Sequence, residues 1–440
     1  MGENILTPGE KIKNIRKDFK IKQSEITGGK ITRNLISLIE NNKAELTNST
    51  AKIISDCVNN ICREKNIDFK MTPEDLLINN TMQAHRILDN LINEVTNNID
   101  NISYDFSSII NNSEKLIKQN PCLDKIVDFY LKLGDAFLKR NDYWQAYVFL
   151  FKAYEHLDLQ KQKSLLPDVT VRLSYTCNNL LKYPETIQIV NTMLSLNLDI
   201  SSLLKYKLIL NKALAQKNLK QYLNAINSLH ELNQESLDDA NTFNIKTLAA
   251  NCYKELKLYK NALDIHFELY SGNYKKEPTK NLIILCNIIN TYMCMNNIKE
   301  VKKYLNIATK LLNNPSLKLH KHYSMSIYYD IGNSYVYIED YNNAIWAFTK
   351  TLEESKENKF YNFEFKSMNS LFSIYSKRGD YTKLEELKFY LIELLNKDNR
   401  PEYHTLIYKY INMYSMQNKK DDLDSLVSFA LSLNREEFND

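Results

Sequence analysis

The chain has 440 residues, too many for one ordinary hydrophobic core, so it holds either several domains or a repeat array that grows without a single centre. With 8 glycines and 8 prolines it lacks the turn residues that hairpin-rich β architectures need, which leaves an all-α protein. The formal net charge of +4 lies wholly in the first 70 residues, where 13 Lys or Arg face 9 Asp or Glu, and the other 370 residues carry 44 of each, as expected of a small nucleic-acid-binding head on a neutral body.

The head comes first in the chain. Pro8 suits a first helical turn, and Ile12, Ile15 and Phe19 follow at helical spacing to give one apolar stripe. Lys22-Gln23-Ser24-Glu25-Ile26 reads as the start of a second helix, interrupted by Thr27-Gly28-Gly29-Lys30, and Thr32 to Glu40 reads as a third. On that third helix Leu35, Leu38 and Ile39 can point to the core while Arg33, Asn34 and Ser37 face out. Two short helices around a glycine turn, with hydrogen-bonding groups exposed on the second, is the helix-turn-helix arrangement.

Three segments carry a resemblance: Gly9-Glu10-Lys11-Ile12 with Arg16, then Lys22 to Ile26, then Asn34 to Lys43. Taken in order over about 60 residues, they resemble the phage-repressor type of helix-turn-helix. The resemblance implies that Gln23 contacts DNA at the start of helix two, that Arg33, Asn34 and Ser37 lie on the recognition helix, and that Lys43 lies near phosphate. It also implies that Arg16 pairs with Glu40 to brace the fold. Thr27 to Ile31 replaces the family's usual apolar segment and turn, which leaves the start of the recognition helix open by one or two residues. The chemistry suits the assignment, because Asn and Gln bond adenine edges in two places, Arg prefers guanine and Lys neutralises phosphate.

Next, Thr72-Pro73-Glu74-Asp75 supplies a cap, a proline at the first helical position and acids in the first turn. A linker helix is expected from there to about Val95, with Leu77, Leu88, Leu91, Ile92 and Val95 packing on the head, on the body or on a second subunit. The domain reading is therefore a helix-turn-helix domain over 1–70, linker helices over 71–120 and a repeat domain over 121–440.

From about Pro121 onward the chain repeats. Leu133-Gly134, Phe137, Tyr143, Ala146 and Ala153 return as Ile331-Gly332, Tyr335, Tyr341, Ala344 and Phe348, and the intervening units are anchored on Tyr183, Tyr222, Tyr259 and Ile298. With Tyr381 and Leu423 after them, successive anchors fall 37 to 43 residues apart. The layout is similar to a lengthened tetratricopeptide pattern, in which Gly134, Ala250 and Gly332 let paired helices approach and aromatic anchors fill the space between pairs. About eight hairpins in a right-handed superhelix are expected. In such a superhelix the ninth position of each unit points into the concave groove, and here those positions read Asn251, Asn290, Asn333, Ser373 and Asn412. A row of amides can hold the backbone of an extended peptide. Cys286 and Tyr329 one turn before, and Met293 and Tyr337 one turn after, would supply apolar pockets between the polar clamps.

A repressor-type head joined to such a body resembles the RRNPP family of peptide-pheromone receptors. The resemblance implies a homodimer that binds double-stranded DNA at an inverted repeat under the control of a short signalling peptide in the groove. A helix-turn-helix regulator or scaffold whose repeat domain binds a protein partner is the alternative. No Gly-rich phosphate loop, His-Glu-x-x-His or Gly-x-Ser-x-Gly motif occurs, so no enzymatic activity and no cofactor are expected. His320 and His322 lack a third ligand in the sequence and are expected to bind no metal. No run of about 18 apolar residues exists and Met1 to Glu10 has neither a basic start nor an apolar stretch, so a cytoplasmic protein without membrane contact is expected. The seven cysteines are odd in number and scattered, as reduced thiols would be.

Overall fold

Thr7 begins the first helix by exchanging hydrogen bonds with Glu10, its hydroxyl accepting from the Glu10 amide at 3.2 Å and its own amide donating to the Glu10 carboxylate at 2.8 Å. Pro8 follows in the first helical position, where its missing N–H costs nothing. This computed structural model describes residues 5–120, 124–232, 237–314, 317–358, 360–397 and 400–435, and among them the chain is all-α, with no strand. It divides into two compact units, residues 1–220 and 221–440.

In the first unit, α1 (Pro8–Asp18), α2 (Arg33–Glu40), α3 (Asn48–Glu64) and the short α4 (Pro73–Leu77) enclose one core around Ile12, Ile36, Ile39, Ile54 and Leu76. Two expectations for the head need correction. Lys22 to Ile26 form a turn and not a helix: the Lys22 amide donates to the Glu25 carboxylate, and five residues ahead of a double glycine are too few to nucleate helical turns. Gly28 and Gly29 then take φ of +57° and +67°, left-handed values that favour glycine. In α2 the buried pair is Ile36 and Ile39, whereas Leu38 is 37% exposed. Thr32 caps the helix and Arg33 opens it, and that phase turns Leu38 outward.

The linker is also broken. Thr72 and Asp75 form the expected capping box, but α4 ends at Leu77 and α5 (Asn80–Asn98) starts anew behind an Asn79 cap. Leu77 packs on the head core, while Leu88, Leu91, Ile92 and Val95 join Phe129 and Leu133 of α7 (Ile126–Lys139) in the body of the same unit. Polar ties add to this: Gln83 of α5 exchanges two hydrogen bonds with the Leu6 backbone at 3.1 and 2.7 Å, and Lys11 of α1 donates to the carbonyls of Asp75 and Ile78.

After α6 (Ser107–Gln119), helices come in pairs. Pro121 and Cys122, where the repeats were expected to begin, lie outside the described residues. The first unit continues with α7 and α8 (Tyr143–Glu155), α9 (Leu166–Asn179) and α10 (Tyr183–Ser195), and α11 (Ser202–Asn218). The second unit runs α12 (Tyr222–His230), α13 (Asp239–Glu255), α14 (Tyr259–Ser271), α15 (Pro278–Cys294), α16 (Ile298–Leu312), α17 (Lys321–Tyr337), α18 (Tyr341–Asn358), α19 (Tyr361–Arg378), α20 (Tyr381–Lys397), α21 (Pro401–Met416) and α22 (Lys420–Arg435). Within it each odd-numbered helix packs on its own partner and on the next odd-numbered helix.

The small residues act as expected. A Cβ on Gly134 would stand 2.6 Å from Leu150 of α8, and one on Gly332 would stand 2.6 Å from Phe348 of α18. The anchors Tyr143, Tyr183, Tyr222, Tyr259, Ile298, Tyr341 and Tyr381 are each the first residue of a second helix. Two residues ahead of every second helix the backbone turns left-handed, at Asn141, Leu181, Lys220, Lys257, Asn296, Glu339, Gly379 and Asn418. The anchor rings bridge neighbouring pairs at their edges and do not fill the core: Tyr143 meets Tyr175 of α9 at 6.4 Å, and Lys419 lies 5.4 Å from the Tyr381 ring.

Candidate functional site

Two places gather candidate functional side chains, one in each unit. In the head, Thr32 accepts a hydrogen bond from the Leu35 amide at 3.2 Å, starting α2 so that Arg33 and Asn34 are exposed in its first turn. Ser37 is half-buried one turn later, and Lys43 is exposed just past the helix. The far end of α2 is anchored by Glu40, only 4% exposed, which receives Arg16 through two parallel bonds of 2.7 and 3.0 Å. Arg16 also donates to the Ile21 carbonyl at 3.1 Å, so one guanidinium ties α1, the turn and α2 together.

The expected Arg16–Glu40 brace is thus present, with one member more. The Gln23 amide nitrogen donates to Glu40 at 2.9 Å, so this part of its carboxamide is committed inside the head. Burial pushes the Glu40 carboxyl up, but hydrogen bonds from Arg16 and Gln23 with the charge of Arg16 outweigh it and hold Glu40 below the ordinary range. The head therefore presents Arg33, Asn34 and Lys43 from a surface fixed by a buried charge pair.

The second place is a groove on the odd-numbered helices of the second unit. A cavity of about 170 Å³ is lined by Phe243 and Thr247 of α13, Ile283, Cys286 and Asn287 of α15, and Tyr323, Ile327 and Asp330 of α17. A wider hollow of about 560 Å³ shares Phe243, Ile283 and Tyr323 with it and is edged by Lys276, Lys280, Lys318 and His320. These residues recur at three- and four-residue steps, so each helix offers one face to the groove.

Asn251, Asn290 and Asn333 follow three or four residues after Thr247, Asn287 and Asp330, which sets them one turn farther along the same faces. All three are half-buried, and among the described residues none has a hydrogen bond to its amide. Asn412 is exposed on α21, and Ser373 on α19 is exposed with its hydroxyl donating to the Asn369 carbonyl at 2.9 Å. Of the apolar neighbours, Cys286 lines the cavity. Tyr329 lies against Phe348 and Phe363 at 5.5 and 6.1 Å, in the wall between pairs, and Met293 is packed on the core. Tyr337 reaches Asn296 at 3.4 Å.

The residue that sequence reasoning missed is Asp330. It lines the cavity with no ion pair among the described residues, and burial pushes its carboxyl up to about 6, with Lys254 and Lys366 pulling weakly the other way. The His320–His322 pair cannot be compared, since the His322 side chain lies outside the described residues.

No family model and no curated protein matches the chain. Among solved structures it is similar to a tetratricopeptide repeat protein from Parabacteroides merdae at 14% identity and TM-score 0.46, covering 61% of this chain and 92% of the other. It is similar to NprR in complex with its cognate peptide NprX at 16% identity and TM-score 0.42, covering 79% and 99%. Bacillus thuringiensis PlcR, in complex with the peptide PapR7 and DNA, is matched at 15% identity and TM-score 0.33 over 82% and 98%. Among the described residues no helix is long and apolar enough to cross a membrane.

Proposed function

We propose that this chain is a DNA-binding transcription regulator. A homodimer binds an inverted repeat through the heads at 1–70, and a short signalling peptide in the groove of the repeat domain at 121–440 controls that binding. The observation that carries the reading is α2: a capped helix whose buried end is clamped by Arg16 and Gln23 while its first turn offers an arginine and an asparagine to solvent. A helix held this way presents these side chains from an ordered backbone, so binding has only the side chains themselves to order. Two heads are invoked because one module of this size makes too few contacts to select a site in a genome. The groove supports the peptide part, since apolar walls and convergent polar groups suit an extended backbone with pocketed side chains.

The test is selection of bound duplexes from a random pool with the full-length protein, followed by fluorescence anisotropy. Enrichment of a palindromic sequence bound at least about a thousandfold more tightly than random duplex is expected at physiological salt. Recovery of no preferred sequence would remove the DNA-binding reading. A protein partner for the repeat domain is a second reading, favoured by the α8 ladder of Trp144, Tyr147 and Phe151, where Trp144 is 58% and Phe151 39% exposed. Unchanged regulation of a reporter by Trp144→Glu would remove it.

A further inference from the structure

The head is attached to the rest of its unit at both ends of its chain. The chain enters it through Ile5 and Leu6, ahead of α1, and leaves it through Ile78 and Asn79, the two non-helical residues between α4 and α5. Ile5 packs on the body core to which α5 contributes, whereas Leu77 packs on the head core. Two linking residues carry four soft backbone dihedrals, so a head joined through them alone would swivel on α5. Fastening the entry to the exit removes that freedom.

One carboxamide does the fastening. Gln83, at the end of the first turn of α5, accepts from the Leu6 amide at 3.1 Å and donates to the Leu6 carbonyl at 2.7 Å and to the Ile78 carbonyl at 3.0 Å. Its oxygen and both of its N–H groups are thus engaged, and only one orientation of the amide satisfies all three partners. Lys11 of α1 completes the knot, its ammonium donating to the Asp75 carbonyl at 2.9 Å and to the Ile78 carbonyl at 3.0 Å, at the end of α4, where a cation is favoured. The Ile78 carbonyl therefore receives both side chains. Arg86 also approaches Asp75, but at 3.8 Å with both side chains well exposed it is too weak a tie to set an angle.

We propose that Gln83 and Lys11 are positioning residues: by fastening the head's entry to its exit they hold it at one angle on α5, and so make DNA binding selective for the number of base pairs between half-sites. The proposal rests on the reading of paired heads on DNA given above and adds what governs their spacing. Each base pair inserted between half-sites moves them about 3.4 Å apart and turns one against the other by about 34°. A swivelling head follows that rotation, whereas a fastened one loses its half-site. Neither residue belongs to the surface of Arg33, Asn34 and Lys43 that meets DNA, so the two act through the head's orientation alone.

The experiment takes the palindrome recovered by duplex selection and measures anisotropy with full-length protein. It uses that duplex, versions with one or two base pairs added or removed between the half-sites, and a duplex carrying a single half-site. The wild type is expected to lose at least about tenfold in affinity on the altered spacers, since the second contact is lost when geometry forbids both. Gln83→Ala and Lys11→Met should each narrow that loss to about threefold or less while binding the single half-site as the wild type does. Lys11→Arg, whose guanidinium can also donate to two carbonyls, should restore the wild-type preference. A spacer preference unchanged in both Gln83→Ala and Lys11→Met, or a wild type that binds every spacer alike, overturns the positioning role and leaves the DNA-binding reading standing. Half-site affinity that falls in step with operator affinity would make the two residues merely structural and overturns it as well. If no duplex is preferred at all, the DNA-binding reading fails and this inference fails with it.

Discussion

Asp330 and His266 are ionisable groups in the same unit, and they titrate in opposite senses. His266 is fully buried with neither ring nitrogen hydrogen-bonded, and burial, with repulsion from Lys254, pushes its pKa down to about 4. Its unfolded form takes up a proton near 6.5, so the stability it contributes is complete above pH 6.5 and is lost as pH falls toward 4, by about 3 kcal/mol. Asp330 runs the other way. Its folded pKa of about 6 lies above the ordinary 3.8, so the folded state is most favoured below 3.8 and loses about 3 kcal/mol as pH rises through 6. Between pH 4 and 6 the two slopes largely cancel. Asp330→Asn should therefore raise stability at pH 7 by as much as about 3 kcal/mol and expose the histidine slope, so that its advantage disappears on acidification. Urea unfolding of both proteins from pH 4 to 7.5 measures this, and a constant difference across that range would contradict the burial of the carboxyl. In the head, Arg33→Ala and Asn34→Ala should each cost roughly 1 to 3 kcal/mol of discrimination at one base position, whereas Lys43→Ala should weaken all duplexes alike and reduce the salt slope by about one. Equal losses on specific and random DNA in all three variants would dismiss α2 as the reading helix.

At the scale of elements, side-chain caps and close helix approaches obey local rules, whereas the length of a short helix and its tertiary facing do not. The cap at Thr72, the close approaches at Gly134 and Gly332 and the regular spacing of the second-helix anchors were legible, because each depends on neighbours in sequence or on a missing Cβ. The phase of α2 was not. Leu35, Ile36, Leu38 and Ile39 put four apolar residues in five positions, and only the tertiary seat of the helix decides which two go inside. Asp330 was not legible for a similar reason, since the depth of a groove depends on how α13, α15 and α17 pack, and sequence spacing marks only the asparagines one turn away. One local feature is open to direct test. Leu181 is 69% exposed and holds φ of +60°, where its Cβ meets the following carbonyl. Leu181→Gly should stabilise the protein by about 0.5 to 1 kcal/mol, despite the entropy that glycine adds to the unfolded chain, and the same change at the neighbouring Leu180, with φ of −87°, should destabilise it. Gly9 is the opposite case. A Cβ there would stand 2.0 Å from the Ile39 carbonyl oxygen, a backbone atom that cannot step aside. Gly9→Ala should cost about 1 to 3 kcal/mol in the head and displace α1 from α2, so DNA binding should fall while peptide binding persists.

Over the whole molecule, the two candidate sites belong to different compact units, with the reading helix ending at Glu40 and the groove beginning at Ala240. Energetic independence and functional linkage then make separate predictions. Gly9→Ala and Asp330→Asn share no partner, so their effects on stability should add within about 0.5 kcal/mol in the double variant. Linkage between the sites requires something stronger, because a peptide can alter DNA affinity only by binding one DNA-competence state of the protein better than another. If it does so by a given factor, DNA must alter peptide affinity by the same factor, typically about 5 to 150. The measurement closes a cycle: operator affinity by anisotropy with and without saturating peptide, and peptide affinity by calorimetry with and without operator, using a peptide that the groove binds. The dimer state should be followed by light scattering at each corner, since a peptide that shifts dimerisation would enter both arms. Equal factors on the two sides are the expected result. Factors of one on both sides, with both ligands bound, would mean that the groove and the head operate separately and that the peptide does not gate DNA binding.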